Sequence, residues 1–218
     1  IEPIELPYYY RDIMDLHVEI DRGDVWYQFP YDEDGEPRFQ PVEQGPVLTL
    51  YSRYRGHSIP LVRYRTTIGG WRIETTPEGD FWAYKESPVG KRVWARVVSA
   101  PVWMPPSSTP SSSLVTELRR DEDGELVREL NRNIVGPGYA SAYGLVAAYH
   151  RRYEKRSDGS IDLAGDEGIR THGTVDYTSV WRRASHGCHR LYNHLAVRLF
   201  SFVLAHTRHD RIGHRNAG

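Results

Sequence analysis

Cys188 is the sole cysteine of the chain. In the stretch THGTVDYTSVWRRASHGCHR, Thr171 to Arg190, it stands two residues after His186, one before His189 and sixteen after His172. A thiol attacks as its thiolate, and an unassisted cysteine has a pKa of about 8.5, so a useful nucleophile needs a base for its proton and a third group to orient that base. His186 shares a short turn with the thiol and has little freedom of geometry. Neighbours in an extended chain point to opposite faces, which turns His189 away from Cys188. His172 lies on a separate element that folding can bring opposite the thiol, and is the preferred base. Gly173 allows close backbone approach, and its carbonyl can accept the other imidazole N–H and fix the tautomer. Gly187 permits a tight turn that leaves its own N–H and that of Cys188 free to hold an oxyanion. His172, His186, Cys188, His189 and His194 also admit a zinc hydrolase, although no HExxH or CxxC spacing is present.

Several elements must position these residues. Alternation predicts strands in "PVLTLYSRYRGHSIPLVRYRTTIGG", turning at Arg55-Gly56-His57. It predicts a hairpin in "WRIETT" and "DFWAYKES" around Pro77, Glu78 and Gly79, and a strand in "KRVWARVVSAPVW". "SLVTELRRDEDGELVRELNRN" is expected to hold a short helix on each side of Asp123-Gly124, and "LVAAYHRRYE" a strand or short helix. "RSDGSIDLAGDEG" reads as loop, so Met104 to Arg170 is long and poorly periodic. Asn193 is a suitable N-cap for a helix carrying Leu195, Leu199, Phe202, Val203 and His206, which puts Cys188 just ahead of a helix N-terminus, where the dipole favours a thiolate. The DEDGE segments at 32–36 and 121–125 lack calcium-loop spacing and read as turns.

Composition narrows the classes. The chain has 218 residues, 28 Lys plus Arg and 29 Asp plus Glu, which makes one domain with a small addition the natural size and gives no electrostatic case for nucleic acid. No apolar run approaches the roughly 18 residues of a membrane span. The chain starts at Ile1 with no signal peptide, as a processed or trimmed chain would. One cysteine excludes an internal disulfide and a CxxC redox pair. Fifteen Tyr and six Trp favour a β-rich fold, although a sugar-binding surface has similar composition.

"HGT" at His172 to Thr174 followed by "SHGCHRL" at Ser185 to Leu191 resembles the signature of the L,D-transpeptidase (YkuD) family. "YRTTIGG" (Tyr64 to Gly70), "SAPVWMP" (Ser99 to Pro105) and "GPGYASAYG" (Gly136 to Gly144) are similar to other family segments, so that the resemblance covers roughly residues 46 to 208. It implies a mainly β fold with a few helices (α+β): a β-sandwich-like catalytic domain over 46–218, a helix beside the cysteine, and a lid within 104–170. Residues 1–45 match no family module and are expected to add a β-hairpin. The resemblance further implies a cofactor-independent monomer in the bacterial periplasm or cell envelope, acting on peptidoglycan stem peptides. Cys188 would attack the amide after diaminopimelate in a tetrapeptide stem and release D-Ala, and the acyl group would pass to an amine. His172 would be base and then acid, with Gly173 orienting it. Arg190 would support the turn or meet a substrate carboxylate, and Ser185, His186, Gly187 and Trp103 would line the site. With water as acceptor the same machinery is an L,D-carboxypeptidase or amide hydrolase; a non-catalytic wall-binding protein on the same fold is a further alternative. The sequence departs from the family pattern at His189, at His194, and in the tail "RHDRIGHRNAG", where no final strand is evident.

Overall fold

The computed structural model describes residues 13–76, 79–105, 109, 111–124, 126–182 and 184–213. Strands β1 (Leu16–Asp21), β2 (Val47–Tyr54) and β3 (His57–Arg65) form an antiparallel meander. Next come β4 (Ile68–Gly69), the hairpin of β5 (Trp71–Thr76) and β6 (Gly79–Tyr84), and β7 (Arg92–Ser99). A one-turn helix α1 (Ser111–Leu114) precedes the hairpin of β8 (Val115–Arg120) and β9 (Leu126–Leu130), and α2 (Arg132–Val135) follows it. The chain continues through β10 (Val146–Lys155), β11 (Ile161–Leu163), β12 (Arg170–Thr174), α3 (Tyr177–Trp181), β13 (Ala184–Ser185), β14 (His189–Tyr192) and α4 (Asn193–Ala205).

The second sheet centres on β10. Its N-terminal half, Val146 to Ala148, is buried between β7 and β12, and β14 extends the sheet in parallel with β12. The core lies between this sheet, the meander and α4. Leu48 and Leu50 of β2 meet Val146 and Ala148 of β10, Leu191 of β14, and Ala196, Leu199 and Phe200 of α4. The last three recur at helical spacing and form the helix's buried stripe. The result is mainly β, a two-sheet sandwich with one substantial helix, as the resemblance implies.

Three local expectations are corrected. Residues 115–130 form a β-hairpin, not two helices: Asp121 Oδ1 accepts the Asp123 N–H at 3.1 Å and Gly124 takes a φ of +84°. A tight turn with glycine in the left-handed region folds the chain back on itself, and the flanking residues then pair as strands. Asn193 does not cap α4. Tyr192 holds the cap position without a side-chain hydrogen bond, and Asn193 is a buried clamp between loops. Within 104–170, "LVAAYHRRYE" takes the strand alternative as β10, while "RSDGSIDLAGDEG", expected as loop, contains the short strand β11. Of the stretch before residue 46, residues 16–21 supply one strand that lengthens the meander, and a bridge from Tyr31 to Pro37 closes the first DEDGE turn. No strand follows α4 among the described residues.

On the buried side of the β10–β12–β14 sheet lies a polar cluster. The Trp94 indole N–H donates to His150 Nε2 at 2.9 Å, Thr171 Oγ1 lies 2.8 Å from the same nitrogen, and the His189 ring is 5.5 Å from that of His150. Burial is the main cause that lowers His150 to about 3 and His189 to about 4, and it likewise takes His172 to about 3. An unfolded histidine titrates near 6.5, so below that pH the unfolded chain binds protons the native state refuses. The stability due to these three neutral imidazoles is therefore complete above about pH 6.5 and falls as pH drops. Denaturant midpoints should decline steadily from pH 7 to pH 5, above the usual carboxylate range of about 4. A flat profile across that window would contradict the burial of neutral imidazoles.

Candidate active site

The turn carrying Cys188 is held by hydroxyl groups. Ser185, buried at the end of β13, donates from Oγ to the Cys188 carbonyl at 2.5 Å and accepts the Gly187 N–H at 3.0 Å. Thr67 Oγ1 donates to the same carbonyl at 2.9 Å and accepts the Arg190 N–H at 3.0 Å, while Thr66 Oγ1 donates to the Arg190 carbonyl at 3.0 Å. Ser87 Oγ donates to the Gly187 carbonyl at 2.7 Å and accepts the Gly69 N–H at 2.8 Å. Gly187 has a φ of +114°, and a Cβ there would stand 2.6 Å from the Glu86 carbonyl oxygen, so glycine is required on both counts. These bonds correct one expectation. The Gly187 N–H is not free for an oxyanion but serves the Ser185 hydroxyl, whereas the Cys188 N–H has no partner among the described residues.

Thr67 is fully buried and bridges two backbone groups of the nucleophile strand. Thr67→Val strands the Arg190 N–H without a partner, a loss of about 1–3 kcal/mol. We expect a lowered denaturation midpoint together with slower modification of Cys188, measured by urea titration and thiol labelling.

His172 sits in the middle of β12, opposite Arg190 of β14, with Thr171 opposite His189. The pleat then sorts the side chains: His172, Arg170, Cys188 and Arg190 share one face, while Thr171 and His189 share the other. Contacts agree, since His189 Nδ1 donates to the Thr67 carbonyl at 3.1 Å within the buried cluster. His172 Nδ1 lies 2.7 Å from the Gly173 carbonyl; a carbonyl only accepts, so the proton is on Nδ1 and Nε2 is the available base. Gly173 has no room for a side chain. A Cβ would stand 2.2 Å from Asn193 Oδ1, which is engaged by the Leu145 N–H at 3.0 Å.

The resting pair is neutral. Burial pushes the Cys188 thiol up, opposed by the Arg170 backbone N–H and by the charges of Arg190 and Arg170. Its S–H points at the Gly168 carbonyl at 3.7 Å, and no hydrogen bond joins it to His172 among the described residues. Burial, with Arg190 and other cations beyond it, holds His172 at about 3 against the pull of the Gly173 carbonyl, so it is unprotonated at neutral pH.

The other residues singled out from the sequence are placed as follows. His186 is exposed, with Nε2 3.2 Å from Glu74 Oε1. Arg190 reaches Asp176 Oδ2 only at 3.7 Å and keeps a buried Nε without a hydrogen bond. Trp103 is half-buried and its backbone N–H donates to the Val135 carbonyl at 2.7 Å; no described contact brings its ring to Cys188 or His172. His194 is exposed and stacks on Tyr192. The N-terminus of α4 lies beyond β14 rather than directly after Cys188, and a dipole field fades within the first turn, so its effect on the thiolate is smaller than the sequence suggested.

Sequence reasoning missed several neighbours. Tyr143 packs on His172 with ring centroids 4.9 Å apart, and burial followed by Cys188 raises its phenol to about 12, so it is a permanent hydrogen-bond donor at the site. Thr66, Thr67, Ser87 and Glu74 come from other segments. Only "TTIGG" carried a signal, through its family-like form.

A family model described as the L,D-transpeptidase catalytic domain (YkuD) matches residues 46–210. No curated protein and no solved structure matches the chain.

Proposed function

The chain belongs to the L,D-transpeptidase catalytic-domain family, and on that premise we propose that it is a cysteine acyltransferase of cell-wall peptides, working in the periplasm or cell envelope. The observation that carries the reading is the Nδ1–H bond from His172 to the Gly173 carbonyl, which leaves one basic nitrogen on the face that also carries the only thiol. Cys188 Sγ attacks the amide carbonyl after diaminopimelate in a tetrapeptide stem as His172 Nε2 takes the thiol proton. The Cys188 N–H supports the tetrahedral oxyanion. Collapse breaks the C–N bond, His172 returns the proton to the departing D-Ala nitrogen, and a thioester remains on Cys188. An amine then attacks the thioester, a new amide forms and the thiol is regenerated. Gly173 orients the base, and Arg190, half-exposed with an unpartnered Nε, meets a substrate carboxylate. Ser185 and Gly187 hold the turn, and His186 borders it on the solvent side. Trp103 lines the approach once substrate is bound. We assign residues 46–218 to the catalytic domain and residues 1–45 to an amino-terminal extension, whose strand β1 joins the meander.

Incubation of the protein with a disaccharide-tetrapeptide, followed by mass spectrometry of protein and products, tests this. An acyl adduct on Cys188 with cross-linked dimer is the expected result. Tripeptide without dimer makes water the acceptor and the protein a carboxypeptidase. Neither adduct nor product sinks the reading.

A further inference from the structure

We propose that His186, beside the Glu74 carboxylate, is the base that takes the ammonium proton of the incoming acceptor amine, a second proton-transfer centre distinct from His172. This deepens the acyltransferase reading and rests on it. The argument begins with a proton count. An alkyl amine near pH 7 is an ammonium ion with a pKa of about 10.4. It must lose one proton before its lone pair can attack the thioester carbonyl. When the C–N bond has formed and the C–S bond breaks, the nitrogen loses a second proton as it becomes an amide. That second proton returns to the Cys188 sulfur by way of His172. The first needs another acceptor, because His172 has one available nitrogen and is 2% exposed, out of exchange with solvent.

His186 has what this task requires. Its side chain is 61% exposed, while that of its partner Glu74 is 16% exposed, and His186 Nε2 lies 3.2 Å from Glu74 Oε1. The contact lacks hydrogen-bond geometry, so the carboxylate acts on the imidazole through its charge. Glu74 is itself fixed: it lies on β5, and Lys85, just after β6, reaches its Oε2 at 3.3 Å. Glu74 is a positioning residue. The charged groups that act on His186 are Glu74 and Arg72 from β5, Lys85, and Arg190 from β14. Partial burial first, then Arg190, Lys85 and Arg72, lower its pKa against Glu74, so it is neutral and ready to accept. The same cations disfavour an approaching ammonium and ease its deprotonation. Exposure lets the imidazole pass the proton to water after each turnover.

A water acceptor carries no such extra proton, since the single proton it sheds on attack can return to the sulfur through His172. Loss of His186 should therefore change which acceptor is used. The test compares the parent protein with His186→Gln and Glu74→Gln, using a tetrapeptide donor and a diaminopimelate-containing tripeptide as acceptor, with quenched samples read by mass spectrometry. In His186→Gln, cross-linked product should fall about 10²-fold relative to the Cys188 acyl adduct formed, and hydrolysed tripeptide should become the main product. Raising the pH from 7 to about 10, which lifts the free-amine fraction of the acceptor from about 0.04% to about 30%, should restore cross-linking in this variant. Glu74→Gln should move the acid limb of cross-linking to lower pH, because the imidazole loses its anionic neighbour, a shift that a purely structural role would not produce. Adduct formation falling in parallel with cross-linking, or cross-linking unchanged in His186→Gln, would overturn the proposal. Absence of any Cys188 adduct in the parent protein would instead overturn the acyltransferase reading beneath it.

Discussion

Cys188→Ala should form no acyl adduct and release no D-Ala from a tetrapeptide donor, while its denaturation midpoint stays close to that of the parent. The chemical half follows from the absence of any other thiol in the chain. The stability half follows from the way the turn is held. Ser185, Thr67 and Ser87 grip the carbonyls of residues 187 and 188 and the N–H of residues 187 and 190, none of which the substitution touches. The side chain itself offers a long contact from S–H to the Gly168 carbonyl at 3.7 Å and an interaction with the Arg170 backbone N–H, and sulfur is both a weak donor and a weak acceptor. Removing it costs a small apolar volume and little more. Cys188→Ser keeps the shape but replaces the thiol with a hydroxyl that is far harder to ionise, and should lose at least about 10³-fold in acylation. The measurements are adduct mass, released D-Ala and urea titration. Turnover surviving in the alanine variant would place the nucleophile elsewhere.

The reacting residues were legible in the sequence because their signal is local. His172-Gly173 and Ser185-His186-Gly187-Cys188 lie on two short segments, and alternation alone puts His189 on the opposite face from Cys188. The β-rich class and α4 were legible for the same kind of reason, through periods of two and of 3.6 residues. What escaped depends on long-range packing. Thr67 and Cys188 are 121 residues apart in sequence yet 2.9 Å apart in space, and no pattern within either segment announces that bond. Asn193 reads as a helix cap because asparagine commonly is one. Its buried position between Leu145 and Tyr139 is set by glycines at 144 and 173, where a Cβ would collide with its Oδ1. The β8–β9 hairpin was misread because apolar residues at mixed spacing fit a short helix as well as a strand. The turn at Asp121 to Gly124 was expected, but it joins two strands and not two helices. Gly187 illustrates a subtler limit: its need for positive φ could be read, but not that Ser185 would occupy its N–H.

His172→Gln should lower the rate of Cys188 acylation by about 10³–10⁴-fold, the range that a positioned general base supplies. The site explains why nothing nearby can substitute. His189 faces the other side of the sheet with Nδ1 engaged by the Thr67 carbonyl, and no described hydrogen bond joins the exposed His186 to Cys188. The thiol cannot ionise alone, because burial raises its pKa and only the Arg170 N–H and two guanidinium charges oppose that rise. Each turnover must therefore begin with a neutral imidazole and an intact thiol. That requirement fixes the pH dependence. His172 is lowered to about 3 and Cys188 is pushed above its ordinary value, so the reactive protonation state holds through the whole neutral range. Acylation should be level from about pH 6 to 8, where an unperturbed histidine would titrate at about 6.5 and impose a clear acid limb. A free histidine-like limb in single-turnover acylation would show that the base is an exposed imidazole, and His186 would then replace His172 in the first step. His189→Ala separates the two kinds of loss. It removes the imidazole from the buried cluster around His150 and should lower the denaturation midpoint while acylation falls by less than about tenfold, whereas His172→Gln removes the base that acylation needs. Equal losses of acylation in the two variants would mean that the buried cluster takes part in the proton transfer, a result the opposite faces of β14 argue against.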